Sequence, residues 1–143
     1  MGLRPLGRTG LLVSPIGLGT VKFGRNTAVK YPTAFELPGD AAIAALLARA
    51  SDLGINLLDT APAYGTAEAR LGAALSGQRD RWIIADKAGE EFDGKESRFD
   101  FSPSAIVASV ERSLKRLRTD RIDVLLLHSD GEDETLARFG PAI

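Results

Sequence analysis

The apolar positions fall into short runs separated by stretches with a helical period. Residues 3–13 hold two short apolar pieces around Gly7-Arg8-Thr9-Gly10, the signal of a β-hairpin. Ile16-Gly17-Leu18-Gly19-Thr20 predicts a short strand whose glycines let backbone or ligand approach closely. Residues 21–39 show no period and contain Gly24, Pro32, Pro38 and Gly39, so a long loop is expected, and such loops are usually functional or disordered. Asp40 is placed to cap a helix with Ile43, Leu46, Leu47, Ala50 and Leu53 on its apolar face, and Gly54 is its stop.

The next run, Ile55–Leu58, predicts a strand ending at Asp59. Tyr64-Gly65 then turns the chain into a second helix. Thr66 is its expected cap, Glu68 suits the positive end of the helix dipole, Leu71 and Leu75 mark the buried face, and Gly77 ends it. Trp82-Ile83-Ile84-Ala85 reads as a strand terminating at Asp86-Lys87, and residues 88–101 as a second long, charged loop. Ser102-Pro103, a capping residue before a proline at the first helical position, opens a helix with Ile106, Val110, Leu114 and Leu117 on one face. Val124–Leu127 is an apolar strand stopping at His128, and Glu132–Phe139 begins a fourth helix.

Strands alternating with helices predict a parallel sheet in an α/β fold. The runs at Leu57 and Val124–Leu127 lack polar alternation, which predicts burial on both faces. A polar residue closes every strand of the alternating part: Thr20, Asp59, Lys87 and His128. Strand C-termini of parallel α/β folds open on one side, so these four are expected to share a pocket with Tyr64.

Composition narrows the chemistry. The 143 residues suit one domain, and 18 basic against 19 acidic side chains leave a formal net charge of -1, with no surplus for nucleic acid or an anionic membrane. Without cysteine and with a single histidine, disulfides and cysteine or multi-histidine metal sites are excluded within the chain. No apolar run reaches membrane-spanning length and the N-terminus lacks a signal-peptide core, so a cytoplasmic protein is expected.

Each candidate has an ordinary reading on its own. Asp59 could be a helix cap, Tyr64 a packed aromatic, Lys87 a solvated charge and His128 a hydrogen-bonded structural residue. Together they suit proton donation to a carbonyl oxygen. A free phenol has a pKa of about 10, too high for efficient transfer near neutrality, and a nearby ammonium favours the phenolate. Asp59 would hold Lys87, and His128 would hydrogen-bond the same carbonyl. The set supplies no hydride and no metal, so an external reductant is implied.

These residues carry a family resemblance. Asp59-Thr60-Ala61-Pro62-Ala63-Tyr64-Gly65, continued by Glu68, Leu71 and Gly72, resembles a signature of the aldo-keto reductases. Ser113-Leu114-Lys115-Arg116-Leu117, followed by Asp120, Ile122-Asp123 and Leu125–His128, is similar to a second one. Gly7-Arg8-Thr9-Gly10 and Gly17-Leu18-Gly19-Thr20 resemble the family's opening hairpin and first strand. The resemblance implies the N-terminal half of a (β/α)8 barrel, four parallel strands with helices after a hairpin, in one partial domain over residues 1–143 that stops within its fourth helix. It implies NADP(H)-dependent interconversion of an aldehyde or ketone and an alcohol, with Tyr64 as general acid, Asp59 and Lys87 tuning it, His128 positioning the carbonyl, and Thr20 and Asp59 beside the nicotinamide. The pattern departs at Asp86, where a small hydroxyl residue is common, and at Arg118 and Arg121, in place of glycine and an aromatic. Family members are about twice this long. The alternative expectation is an inactive half-barrel fragment, or a cofactor-binding regulatory module, that works only when self-association or the missing C-terminal half completes the barrel.

Overall fold

The computed structural model describes residues 2–129 and 131. The opening hairpin pairs β1 (Arg4–Pro5) with β2 (Leu12–Val13). A four-stranded sheet follows, formed by β3 (Leu18–Gly19), β4 (Leu57–Asp59), β5 (Ile83–Ala88) and, after the charged segment, Val124–Leu127. The four pair in chain order and in parallel, with Gly19 opposite Asp59, Asp59 opposite Ala85, and Ala85 opposite Val124. The expected α/β layout of four parallel strands with helices after a hairpin is what the chain adopts.

Four helices lie between the strands among the described residues. The segment expected to be loop from residue 21 begins as a one-turn helix, α1 (Val21–Gly24), which buries Phe23. Next, α2 (Asp40–Asp52) starts one residue earlier than the cap assignment implies, because Gly39 is its N-cap and Asp40 its first helical residue. It buries Ile43, Leu47 and Ala50, whereas Leu46 and Leu53 at the margins of the stripe stay exposed. After α3 (Ala67–Ala74), α4 (Pro103–Leu117) starts as its sequence predicts, with the Ser102 hydroxyl accepting from Ala105 N and Pro103 in the first turn. Its most buried positions are Ser109, Ser113 and Leu117; Ile106, Val110 and Leu114 flank them half-buried. The core lies between sheet and helices, where Phe23, Ile43, Leu47, Leu58, Leu71, Trp82, Ile84 and Leu117 pack together.

Two further expectations are corrected. Residues 88–101 are not one long loop: β6 (Glu90–Phe92) and β7 (Ser97–Phe99) form an antiparallel hairpin, turned by an Asp93 side chain that accepts from the backbone N–H groups of Lys95 and Glu96. The last strand, β8 (Val124–Leu127), is not buried on both faces. It is a sheet edge with β5 as its only neighbour among the described residues, and Leu125 and Leu126, which alternate across the sheet, are each 45 % exposed. The fourth helix expected over Glu132–Phe139 lies outside the described residues.

Candidate active site

A strand's side chains alternate, and β5 uses that to separate two neighbouring charges. Ile84, Asp86 and Ala88 face the helices, and Lys87 emerges on the opposite face. There its Nζ donates to Asp59 Oδ2 at 2.7 Å and to the Thr60 carbonyl at 3.0 Å. The ion pair is asymmetric, since the Lys87 side chain is 13 % exposed and that of Asp59 40 %.

Tyr64 reaches the same point because Pro62–Tyr64 forms a 3-10 turn immediately after β4. Its hydroxyl donates to Asp59 Oδ1 at a long 3.4 Å, and Lys87 Nζ lies 4.9 Å from its ring centroid. The turn is held by backbone crossing backbone. A Cβ on Gly24, at the end of α1, would lie 2.4 Å from the Tyr64 carbonyl oxygen, and one on Gly65 would lie 2.2 Å from the Gly24 carbonyl oxygen. Gly65 also has a φ of +64°, so both space and conformation demand glycine there.

His128 continues from β8, its N–H donating to the Ala88 carbonyl, and its ring meets that of Tyr64 edge-on at 5.8 Å. Thr20 is fully buried, and both its N–H and its hydroxyl donate to the Asp59 carbonyl, so it holds the end of β4. Asp59, Lys87 and His128 gather around Tyr64, whereas Thr20 is buried beneath the end of β4, and of the five expected to share a pocket Tyr64 and His128 are the ones that line it. Tyr64 and His128 line a cavity of about 620 Å³ with Arg25, Tyr31, Glu90 and Phe99.

The expected electrostatics need one correction. Lys87 does pull the Tyr64 phenol down, but partial burial outweighs it and Asp59 adds to the rise, so the phenol stands above its ordinary value. Burial likewise pushes His128 below the usual imidazole range. The charges of Glu90 and Asp59 oppose that shift, and those of Lys87 and Arg25 reinforce it.

Glu90 and Arg25 also line the cavity, and neither is among the residues that the sequence singles out. Glu90 enters because the β6–β7 hairpin folds back over the site; its Oε1 accepts from Ser97 at 2.5 Å and lies 3.6 Å from Arg25 Nη1. Asp93-Gly94 between Glu90–Phe92 and Ser97–Phe99 was the available signal, since an Asp-Gly pair between short runs marks a hairpin. Arg25 donates to the Ala63 carbonyl and stacks on Phe92, 3.6 Å from the ring centroid; nothing in its sequence context points to this.

Behind the sheet, the direction of Asp86 becomes clear. It is fully buried against the equally buried Glu68 of α3, with Ser113 alongside. Arg116 of α4 donates to Glu68 Oε2 at 2.9 Å. Glu68 is therefore more than a first-turn charge favoured by the helix dipole. Burial first, and the charge of Glu68 second, push Asp86 up to about 7.

The model of the Aldo/keto reductase family matches residues 15–138. The Pseudomonas aeruginosa protein PA4992, assigned to the aldo-keto reductases, superposes with a TM-score of 0.82 at 57% identity, over 98% of this chain and 56% of that one. Among curated proteins, the L-galactose dehydrogenase of Arabidopsis thaliana is 40% identical over 88% of this chain and 37% of its own length. The NADH-specific methylglyoxal reductase of Escherichia coli is 34% identical over 87% of this chain and 40% of its own length. The chain thus spans about two fifths of these curated relatives. Its parallel strands correspond to the expected N-terminal half of a (β/α)8 barrel, with the polar strand ends gathered on one side. By fold, by matched segment and by the residues brought together, the chain belongs to the aldo/keto reductase family.

Proposed function

We propose that this site interconverts a small aldehyde or ketone with the corresponding alcohol, using a nicotinamide dinucleotide, with NADP(H) the assigned form. The observation that carries the reading is the constellation of Tyr64 and His128 at the wall of one cavity, with Asp59 and Lys87 gathered behind the Tyr64 phenol. The residues present fit the nicotinamide end of such a cofactor. Asp59 keeps an exposed carboxylate able to accept from a hydroxyl or amide, and Thr20 fixes the backbone beneath it. When bound, the reduced nicotinamide supplies the hydride to the carbonyl carbon.

The chain's own residues manage the proton. Tyr64, which like any phenol keeps its proton near neutrality, is the general acid and gives that proton to the carbonyl oxygen as negative charge develops there. Lys87, fixed by Asp59 and the Thr60 carbonyl, favours the phenolate left behind. In the reverse direction that phenolate takes the proton of an alcohol. His128 orients the oxygen from the other side of the Tyr64 ring.

NADPH titration, read by quenching of the single tryptophan, Trp82, tests the first requirement, with NADH compared in the same assay. Carbonyl-dependent NADPH oxidation that falls by about 10²–10⁴ in Tyr64→Phe supports the reaction. Binding with turnover unaffected by Tyr64→Phe refutes the assignment of the acid. A second reading rests on the open edge at β8, with exposed Leu125 and Leu126: the half-barrel acts only when a second copy or a C-terminal half completes it. For the second-copy form, light scattering at micromolar concentration must give a dimer mass, and a monomer that turns over carbonyl substrate rules the reading out.

A further inference from the structure

Nδ1 of His128 is buried and has no aligned hydrogen-bond partner among the described residues, yet Glu90 Oε2 lies 3.1 Å from it. That carboxylate is built into place. Its other oxygen accepts from Ser97 and faces Arg25, and its side chain is 13 % exposed, so its charge is weakly screened. A carboxylate at contact distance from a ring nitrogen is satisfied only by N–H; a lone pair on Nδ1 would face it with repulsion. We propose that Glu90 is a positioning residue for His128, holding the imidazole proton on Nδ1 and leaving Nε2 as the nitrogen that meets the substrate oxygen.

The inference rests on the proposed carbonyl–alcohol chemistry for its consequence, but not for its test. The neutral ring with Nδ1–H offers Nε2 as an acceptor, suited to an alcohol O–H. Only the imidazolium offers Nε2–H, suited to a carbonyl oxygen. The neutral ring therefore favours the bound alcohol, and protonation of His128 is what lets it donate to the carbonyl oxygen. The charged and titratable groups facing it are Glu90 and Lys87 from β6 and β5, Asp59 from β4, Tyr64 from the 3-10 turn, and Arg25 from the segment after α1. With the ring pushed below its ordinary range by burial, the neutral form dominates at pH 7, so the tautomer decides its role.

His128 is the only histidine in the chain, so its imidazole can be observed without assignment or turnover. Two-bond ¹H–¹⁵N correlation on protein labelled with ¹⁵N-histidine is expected to show the neutral ring protonated at Nδ1. In Glu90→Gln the majority proton moves to Nε2 and the ring titrates at lower pH than in the unmodified chain, because the attracting charge is gone and the amide N–H₂ donates to Nδ1. Glu90→Asp keeps the charge and restores Nδ1–H. A majority Nε2–H ring in the unmodified chain overturns the proposal, as does an unchanged tautomer and titration in a Glu90→Gln protein whose Trp82 emission remains native. A chain that fails to bind any nicotinamide leaves this measurement intact, which separates failure of the positioning role from failure of the proposed reaction.

Discussion

Replacing Asp86 by Asn should abolish the pH dependence that this one side chain imposes on stability. In an unfolded chain the carboxyl loses its proton near 3.8, whereas in the folded protein it keeps it to about 7. Between those values the native state binds more protons than the unfolded state, so stability falls as pH rises. The loss is complete once pH passes the folded value and no further loss follows. A separation of roughly 3 pH units at 1.36 kcal/mol each makes this about 4 kcal/mol, a large part of a domain's usual 5–15 kcal/mol. Asn has the same shape, keeps an oxygen to accept from Lys87 N as Asp86 Oδ1 does, and can donate to Glu68 without ever ionising. Urea unfolding followed by Trp82, which is buried in the core, should therefore show Asp86→Asn more stable than the unmodified chain by about 2–4 kcal/mol at pH 8. At pH 4–5 the advantage should vanish or reverse. Because the charge of Glu68 is the second cause of the shift, Glu68→Gln should also flatten the pH dependence, at the cost of its ion pair with Arg116. An equal stability difference at both pH values would refute the reasoning, since it would mean that Asp86 titrates alike in folded and unfolded chains.

Three further outcomes follow from the packing and the site. Gly72→Ala should destabilise by about 3 kcal/mol in urea unfolding: helix propensity favours Ala by about 1 kcal/mol, but the new Cβ would lie 2.3 Å from the Arg116 carbonyl oxygen of α4, backbone that cannot swing aside. Arg118→Gly should stabilise by about 0.5–1 kcal/mol in thermal or urea unfolding, because Arg118 caps α4 with an exposed side chain in the left-handed conformation at φ +54°. In a Tyr31→Phe background, where Tyr64 is the remaining tyrosine, Lys87→Met should move the phenol's absorbance titration to still higher pH; a downward move would contradict the ammonium's role as the phenolate's stabiliser.

The reacting groups were legible because each breaks a pattern. Asp59 and His128 each end an apolar run, Lys87 stands one residue past another, and Tyr64 lies two residues beyond a proline, so the strand–helix alternation places them near a common edge. What escaped was information carried by neighbours in space. The acidic residues Glu90 and Glu91 look like solvated loop, and only the folding back of β6 and β7 turns Glu90 toward His128. The phase of β5 decides that Asp86 meets Glu68 while Lys87 meets Asp59, and no single residue announces that phase. The direction of the Tyr64 shift depended on weighing burial against an ammonium, which sequence spacing cannot do. The exposure of β8 was missed for a simpler reason, since an apolar run looks the same whether or not something covers it.

The contact between Gly24 and Gly65 carries an evolutionary consequence. Neither position tolerates a side chain, so the crossing of α1 over the turn acts as a fixed pivot for Tyr64. Arg25 adds to the pivot by donating to the Ala63 carbonyl, whereas the segment after it, which brings Tyr31 to the cavity wall, takes no part in the crossing of the two glycines. A lineage could therefore explore new substrates through residues 26–37 while the proton donor keeps its place, its accuracy guarded by two residues that have no side chain to vary.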